Sequence, residues 1–143
     1  AVTRPDGSSL HVAHVTDELQ VTLTYRVGVP EISFRCLVSF CTQGMVAFAT
    51  VEPTEIVRSR AGVYSSSVTI PANLLAENEY VLNISIFASR GVKLHYVKLK
   101  DVVAFQVTDP LTGDSARGDY AEGLKGLVRP ILEWHTGTEP EAG

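Results

Sequence analysis

The sequence predicts an all-β protein, an antiparallel β-sandwich of the immunoglobulin-like or jelly-roll type. Short stretches of alternating apolar and polar residues recur along the chain, and Gly, Pro and other turn residues separate them. No stretch has the 3.6-residue period of a long amphipathic helix. At 143 residues, 45% of them apolar and 20% charged, the chain fits one ordinary globular domain.

The clearest predicted strand is Leu19–Val27, where apolar residues from Leu19 to Val27 alternate with Gln20, Thr22, Thr24 and Arg26. Turn residues such as Val29-Pro30 and Gln43-Gly44 divide it from the strands that follow. The other predicted strands cover residues 34–41, 45–51, 63–70, 80–87, 92–99, 102–108 and 127–134. Several of them carry one polar face, as expected for sheets that are packed on one side only.

The chain divides into three parts on composition. Residues 1–18 are polar and contain Pro5, Gly7, Ser8 and Ser9, so we interpret them as a linker from a preceding domain, with room for a short strand at Leu10–Val15. Residues 19–134 form the sandwich. Residues 135–143 are polar with Gly and Pro, and we expect a flexible tail.

The end of the sandwich carries an unusually long connection. The strand that ends at Thr108 breaks at Asp109-Pro110, and no periodic pattern returns until the apolar stretch 127–134. Most connections in compact domains are about 4–6 residues long, so this one is expected to cross the domain or to reach another subunit. Pro130 cannot donate to a ladder and places the last strand at an edge. Two outcomes are open: the strand is exchanged between two copies, which we favour, or it folds back on its own sheet.

We expect Trp134 to pack with Ile131 and Leu132 rather than to stack on a sugar.

Composition excludes several classes of function. The net charge is −4 and no basic block occurs, which argues against nucleic acid as a partner. No apolar run approaches the 18 or so residues of a membrane-spanning helix. Cys36 and Cys41 fall at odd spacing on one predicted strand, hence on opposite faces, so we expect reduced thiols and neither a disulfide nor a metal site.

We predict no catalytic residue and no cofactor. The carboxylates lie mostly in turns or at strand ends, and no pair alternates within a strand as a glycosidase would favour. The sequence contains no G-x-S-x-G, P-loop or H-E-x-x-H motif.

A binding surface is predicted from strand faces that mix polar and apolar side chains. Sugars are held by hydrogen-bonding side chains beside apolar or aromatic surface, because a sugar ring has a hydroxyl rim and C–H faces. If strands 34–41, 80–87 and 92–99 are neighbours, they build one cationic platform. Its residues are Arg35, Asn83, Ser85, Phe87, Lys93 and His95. The plain alternative for each residue is a solvated outer face.

Several motifs follow one another near the C-terminus. They are a strand ending at Asp109-Pro110, a glycine-bearing loop to Gly123, the Gly-x-x-Arg-Pro sequence of residues 126–130, and Trp134. Upstream, residues 70–87 read IPANLLAENEYVLNISIF, a proline, a Leu-Leu pair, a tight turn and a long strand. Together they resemble the C-terminal carbohydrate-binding domain of the ATP-binding subunit of bacterial O-antigen polysaccharide ABC transporters, the Wzt family, over roughly residues 19–134.

The resemblance implies a non-catalytic domain attached to an ATPase domain. Such a domain recognises the non-reducing terminus of a lipid-linked O-polysaccharide, dimerises through its C-terminal segment, and serves the transporter membrane subunit at the cytoplasmic face of the bacterial inner membrane. No contact motif of the family carries over residue by residue, so the platform rests on the strand pattern alone. Two alternatives remain: a structural module that only dimerises or docks the ATPase, and a lectin-like domain of unrelated context.

Overall fold

The computed structural model describes residues 1–89 and 93–139, with side chains except at positions 89 and 93–95. Two packed sheets form an antiparallel sandwich with one parallel pair, which confirms the predicted fold class. Within the described residues there is no helix, and hence none long and apolar enough to cross a membrane. The strands are β1 (Val2–Thr3), β2 (Val12–His14), β3 (Leu19–Val27), β4 (Ile32–Thr42), β5 (Met45–Val51), β6 (Ile56–Arg58), β7 (Gly62–Ile70), β8 (Asn78–Ser89) and β9 (Lys93–Thr108).

The two sheets differ in size. The smaller has three strands in the order β1-β3-β7. The larger has six, in the order β2-β9-β8-β4-β5, with β6 continuing the edge beside the first residues of β4. β4, β8 and β9, which carry the predicted platform, are therefore direct neighbours in the larger sheet.

The core lies between the sheets and follows the two-residue alternation of the strands. On β4, every second residue from Phe34 to Thr42 is buried and the intervening ones are half-buried. Tyr80 and Phe40 are completely buried, and the ring of Phe105 packs against both. Cys36 points into this core and Cys41 away from it, both as free thiols, which confirms the predicted opposite faces.

The strands agree with the sequence prediction in the middle of the chain and depart from it at the ends. β3 and β5 have the predicted bounds. β9 is one strand of 16 residues where we predicted two. The predicted strand 127–134 is wrong within this chain, because only Val128 makes a bridge, to Leu75. Trp134 is 88% exposed, so the prediction that it packs is also wrong in the single chain.

The first 18 residues are not a linker outside the sandwich, which corrects the prediction. β1 pairs with β3, and β2 pairs in parallel with β9, so this segment contributes a strand to each sheet. Its four apolar side chains inside the core are those of Val2, Leu10, Ala13 and Val15. The sequence analysis missed these buried positions because the residues between Val2 and Leu10 are polar. Several of them form the turn at Asp6–Ser8.

Candidate functional site

The candidate site is the outer face of the larger sheet, on the side away from the core. Directly paired residues of antiparallel strands share a face. Arg35 pairs with Phe87, Leu37 with Ser85, and Ser39 with Asn83. The third strand continues these rows, since His95 pairs with Phe87, Lys98 with Ser85, and Lys93 with Ser89. The backbone register therefore brings all six predicted residues to one face.

The register does not make all six equally accessible. Phe87 is only 7% exposed and Ser85 only 8%, so Phe87 offers no open ring face in this structure. Arg35 and Asn83 are half-buried. The side chains of Lys93 and His95 lie outside the described ones, and for them only the backbone position is known.

A shallow depression of about 220 Å³ lies at the centre of this face. Two lysines that the sequence analysis missed, Lys98 and Lys100, line it together with Leu37, Ser39 and Asn83. We call it the basic depression. Lys98 lies on the same face as Lys93 and His95. The sequence analysis missed it because an irregular register opposite Ile86/Phe87 breaks the two-residue alternation along β9.

Arg35 carries an unpaired donor on the same face of the sheet. Its Nε is buried and has no hydrogen-bond partner among the described residues. Burying a donor without a partner costs about 1–3 kcal/mol of folding free energy, so Arg35 holds hydrogen-bonding capacity that the described residues do not use. Arginine also presents its donors as a planar fork that matches carboxylates and phosphates.

Asn83 has a structural task on the same face. Its Oδ1 accepts a hydrogen bond of 2.9 Å from the backbone N–H of Asp101, and its Nδ2 donates to Cys41 Sγ at 3.4 Å. Both ends of the amide are therefore engaged with the protein. Asn83 therefore holds neighbouring residues of this face in place, and it is also one of the residues that line it.

The most connected buried charge lies at the edge of the sandwich, where the sequence analysis named no functional residue. Arg58, 3% exposed, donates to the Phe34 carbonyl at 2.6 Å, the Tyr25 hydroxyl at 2.8 Å and Glu52 Oε1 at 3.0 Å. Its guanidinium also lies 4.0 Å from the centre of the Phe34 ring. Because Tyr25 belongs to the smaller sheet and Phe34 to the larger, Arg58 ties the two sheets together.

The contact between Arg58 and Glu52 affects the pKa of Glu52 itself, and Glu52 in turn affects the pKa of Cys36. Burial raises the pKa of Glu52, but hydrogen bonds from the Cys36 N–H and Arg58 outweigh it, so the pKa lies below its ordinary value. Burial, reinforced by Glu52, raises the pKa of the Cys36 thiol to about 11. Cys36 therefore stays a neutral core thiol with little nucleophilic character.

A second cavity, of about 150 Å³, opens between the sheets beside β5 and β7. Its lining is mainly apolar and includes the core residues Leu23, Cys36 and Val38. It has few polar groups with which to hold a sugar, since Glu52 is already engaged by Arg58 and the Cys36 N–H. In the described part of the chain, no group of three or more His, Cys, Asp or Glu side chains is placed to hold a metal ion.

The fold defines a β-sandwich domain whose larger sheet presents a mixed polar and apolar face to solvent. Among solved structures it is similar to the crystal structure of the C-terminal domain of Wzt, with a TM-score of 0.75 at 12% sequence identity. The match covers 95% of this chain and 80% of that one. The structural likeness thus confirms, at the level of the fold, the resemblance that the sequence motifs indicated. No protein-family model matches the sequence, and no curated protein matches it.

Proposed function

We propose that this domain is a non-catalytic carbohydrate-binding domain that recognises the non-reducing terminus of a lipid-linked O-antigen polysaccharide before its export by an ABC transporter. The observation that carries the proposal is the outer face of the larger sheet on a Wzt-like fold, where Lys98 and Lys100 line a depression together with Leu37, Ser39 and Asn83, and Arg35 lies on the same face of β4. This face has the hydrogen-bonding and apolar groups that sugar recognition needs.

The charge of the face favours an acidic terminal group on the glycan. Arg35 has a buried Nε without a partner among the described residues, and Lys98 and Lys100 are exposed on the same face of the sheet. The register adds Lys93 and His95 to the same end. Charge-assisted hydrogen bonds to a carboxylate or phosphate are about twice as strong as neutral ones, so such a group would orient the end of the chain.

The proposal includes the partners that the resemblance implies. These are an ATPase domain of the same protein, the membrane subunit of the transporter, and a second copy of this domain joined through the C-terminal segment. The domain would then work at the cytoplasmic face of the bacterial inner membrane. Ile131, Leu132 and Trp134, exposed by 54%, 70% and 88%, support the homodimer, because a partner chain would bury them.

The test is titration of the domain with O-polysaccharide purified from the organism that encodes it. We expect saturable binding that Arg35→Ala and Lys93→Ala weaken, while the urea midpoint of each variant stays close to that of the wild type. The matched control is Arg26→Ala, because Arg26 is exposed on the smaller sheet. Unchanged binding in both platform variants would place the glycan elsewhere.

The same titration separates the alternative, a structural module that only dimerises or docks the ATPase. The exposed apolar residues near Trp134 fit a dimer or docking contact, and they fit it equally well whether or not the domain also binds a glycan. A domain that dimerises but shows no binding to the cognate polysaccharide would be such a module.

A further inference from the structure

The outer face has a second depression, at the opposite end from Arg35. It is about 550 Å³ in volume, within the range of roughly 300–1,000 Å³ that is typical of small-molecule sites. The β4–β5 hairpin, the start of β8 and an irregular stretch of β9 form its walls. We call it the acidic depression, after its carboxylates Glu79 and Asp101.

The wall on β9 is a bulge. Leu82 pairs with Val103 and Ile84 with Leu99, so residues 100–102 face Asn83 alone. Asp101 lies at the tip with a φ of 52°, a conformation that L-residues rarely adopt. The hydrogen bond from its N–H to Asn83 Oδ1 holds it there. Bulges of this kind re-aim a side chain, and backbone strain of this kind persists where the surroundings fix it.

The opposite wall is the hairpin turn. Gln43 has a φ of 51° and is followed by Gly44 at 75°, as a tight hairpin requires. Gln43 Nε2 donates to Asn78 Oδ1 at 3.3 Å, which links the turn to the first residue of β8. The depression is thus bounded by two turns that side-chain hydrogen bonds hold in position.

The chemistry of this depression differs from that of the basic depression. Its polar groups are the carboxylates of Glu79 and Asp101 with the amides of Gln43, Asn78 and Asn83. No Lys or Arg occurs among the lining residues that the structure describes. Val46, 59% exposed, and Met45, 51% exposed, give it an apolar side. Carboxylates repel an anionic group but accept hydrogen bonds from hydroxyls, while the apolar side suits the C–H face of a ring.

We infer that the acidic depression is a second sugar subsite, which binds a neutral ring of the same glycan whose acidic end lies at Arg35. This inference rests on the proposed function. From Glu79 to Phe87 the face extends roughly 26 Å along β8 at about 3.3 Å per residue, room for several sugar rings. Asn83 lines both depressions, so they adjoin at this residue. The glycan is then read as an extended segment with a fixed direction.

The experiment follows backbone amide shifts of the ¹⁵N-labelled domain with two kinds of probe. The neutral probes are the methyl α-pyranosides of glucose, galactose and mannose, and the anionic probe is inorganic phosphate. We expect at least one glycoside to shift the amides of Gly44, Val81 and Asp101, and phosphate to shift those of Arg35 and Lys98. Asp101→Asn should weaken the glycoside about tenfold, the effect of one hydrogen bond to a charged group, and leave phosphate unchanged. Asn tolerates the positive φ of this position, so the fold is kept.

The matched control is Asp119→Asn, because Asp119 is exposed in the long loop outside the sheet. Glycosides that move only amides near Arg35, or that bind Asp101→Asn as well as wild type, overturn the second subsite and leave the proposed function standing. Silence toward every glycoside also overturns it. If the purified O-polysaccharide is silent as well, the proposed function itself falls.

Discussion

Arg129 Nη2 lies 2.8 Å from Glu77 Oε2, and this contact fixes the last part of the chain to the turn before β8. Arg117 Nε donates to the other oxygen of Glu77 at 3.1 Å and lies 3.6 Å from Asp109 Oδ2. Arg129 also donates to the carbonyls of Leu124 and Lys125. The side chains of both arginines are at most 9% exposed. One carboxylate therefore anchors two distant positions of the long C-terminal connection.

Glu77→Gln should destabilise the domain by about 3–5 kcal/mol, because it leaves Arg129 buried without a counter-charge and takes from Arg117 the nearer of its two carboxylates. Urea unfolding measures this loss. Trypsin should also cleave after Lys125 faster, since the segment that Arg129 holds is released. Glu122→Gln is the control, because Glu122 is exposed and only its backbone carbonyl is engaged. Equal stability of the two variants would contradict this anchoring.

Arg58→Met should cost about 3–5 kcal/mol of unfolding free energy, since Glu52 loses its charge partner and Tyr25 and the Phe34 carbonyl lose their donor. The measurement is a urea titration followed by tyrosine fluorescence. Arg26→Met changes the same residue type at an exposed position and should shift the midpoint little. A loss below about 1 kcal/mol would mean that Arg58 contributes no more than an exposed ion pair.

Stability should fall with acid through Glu52 and Glu77. For both, burial raises the pKa but hydrogen bonds to arginine and backbone N–H groups outweigh it, so the pKa lies below the ordinary 4.5. A carboxylate with a lowered pKa stabilises the fold above its unfolded pKa, and this is lost as pH falls through the folded value. Urea midpoints between pH 7 and pH 3 should show this decline. Glu52→Gln should flatten it, and an equally steep decline in that variant would exclude Glu52 as a cause.

The homodimer predicts a mass of two chains by light scattering, and truncation after Pro130 should give a monomer. This cut removes Ile131, Leu132 and Trp134 but keeps Arg117 and Arg129 on Glu77. A cut after Thr112 also removes the anchoring arginines, so it tests stability and assembly together. A full-length domain that is monomeric would reject the exchange, as would a truncated one that remains dimeric.

Periodicity predicted the central strands because each has one face in the core, and β3 shows this alternation without a break. It failed where other constraints act. In β9, the bulge at residues 100–102 shifts the alternation, so two strands were predicted where one runs through. Residues 127–134 have an apolar pattern, but within their own chain they pair only through the single bridge from Val128 to Leu75. Arg58 was missed because a polar segment gives no sign of which charge becomes buried.

The bulge of β9 also allows the shape of the outer face of the larger sheet to change independently of the core. It separates two stretches of regular pairing on β8, one from Asn78 to Leu82 and one from Ile84 to Ile86, and each has its own inward-facing residues. A residue inserted or removed between Lys100 and Val102 would lengthen or shorten the wall of the acidic depression while both stretches keep their alignment. If this face binds a glycan as proposed, sandwiches that share the bulge can diverge in ligand preference through changes of length at this one point, and the same few positions are where the domain could be redesigned.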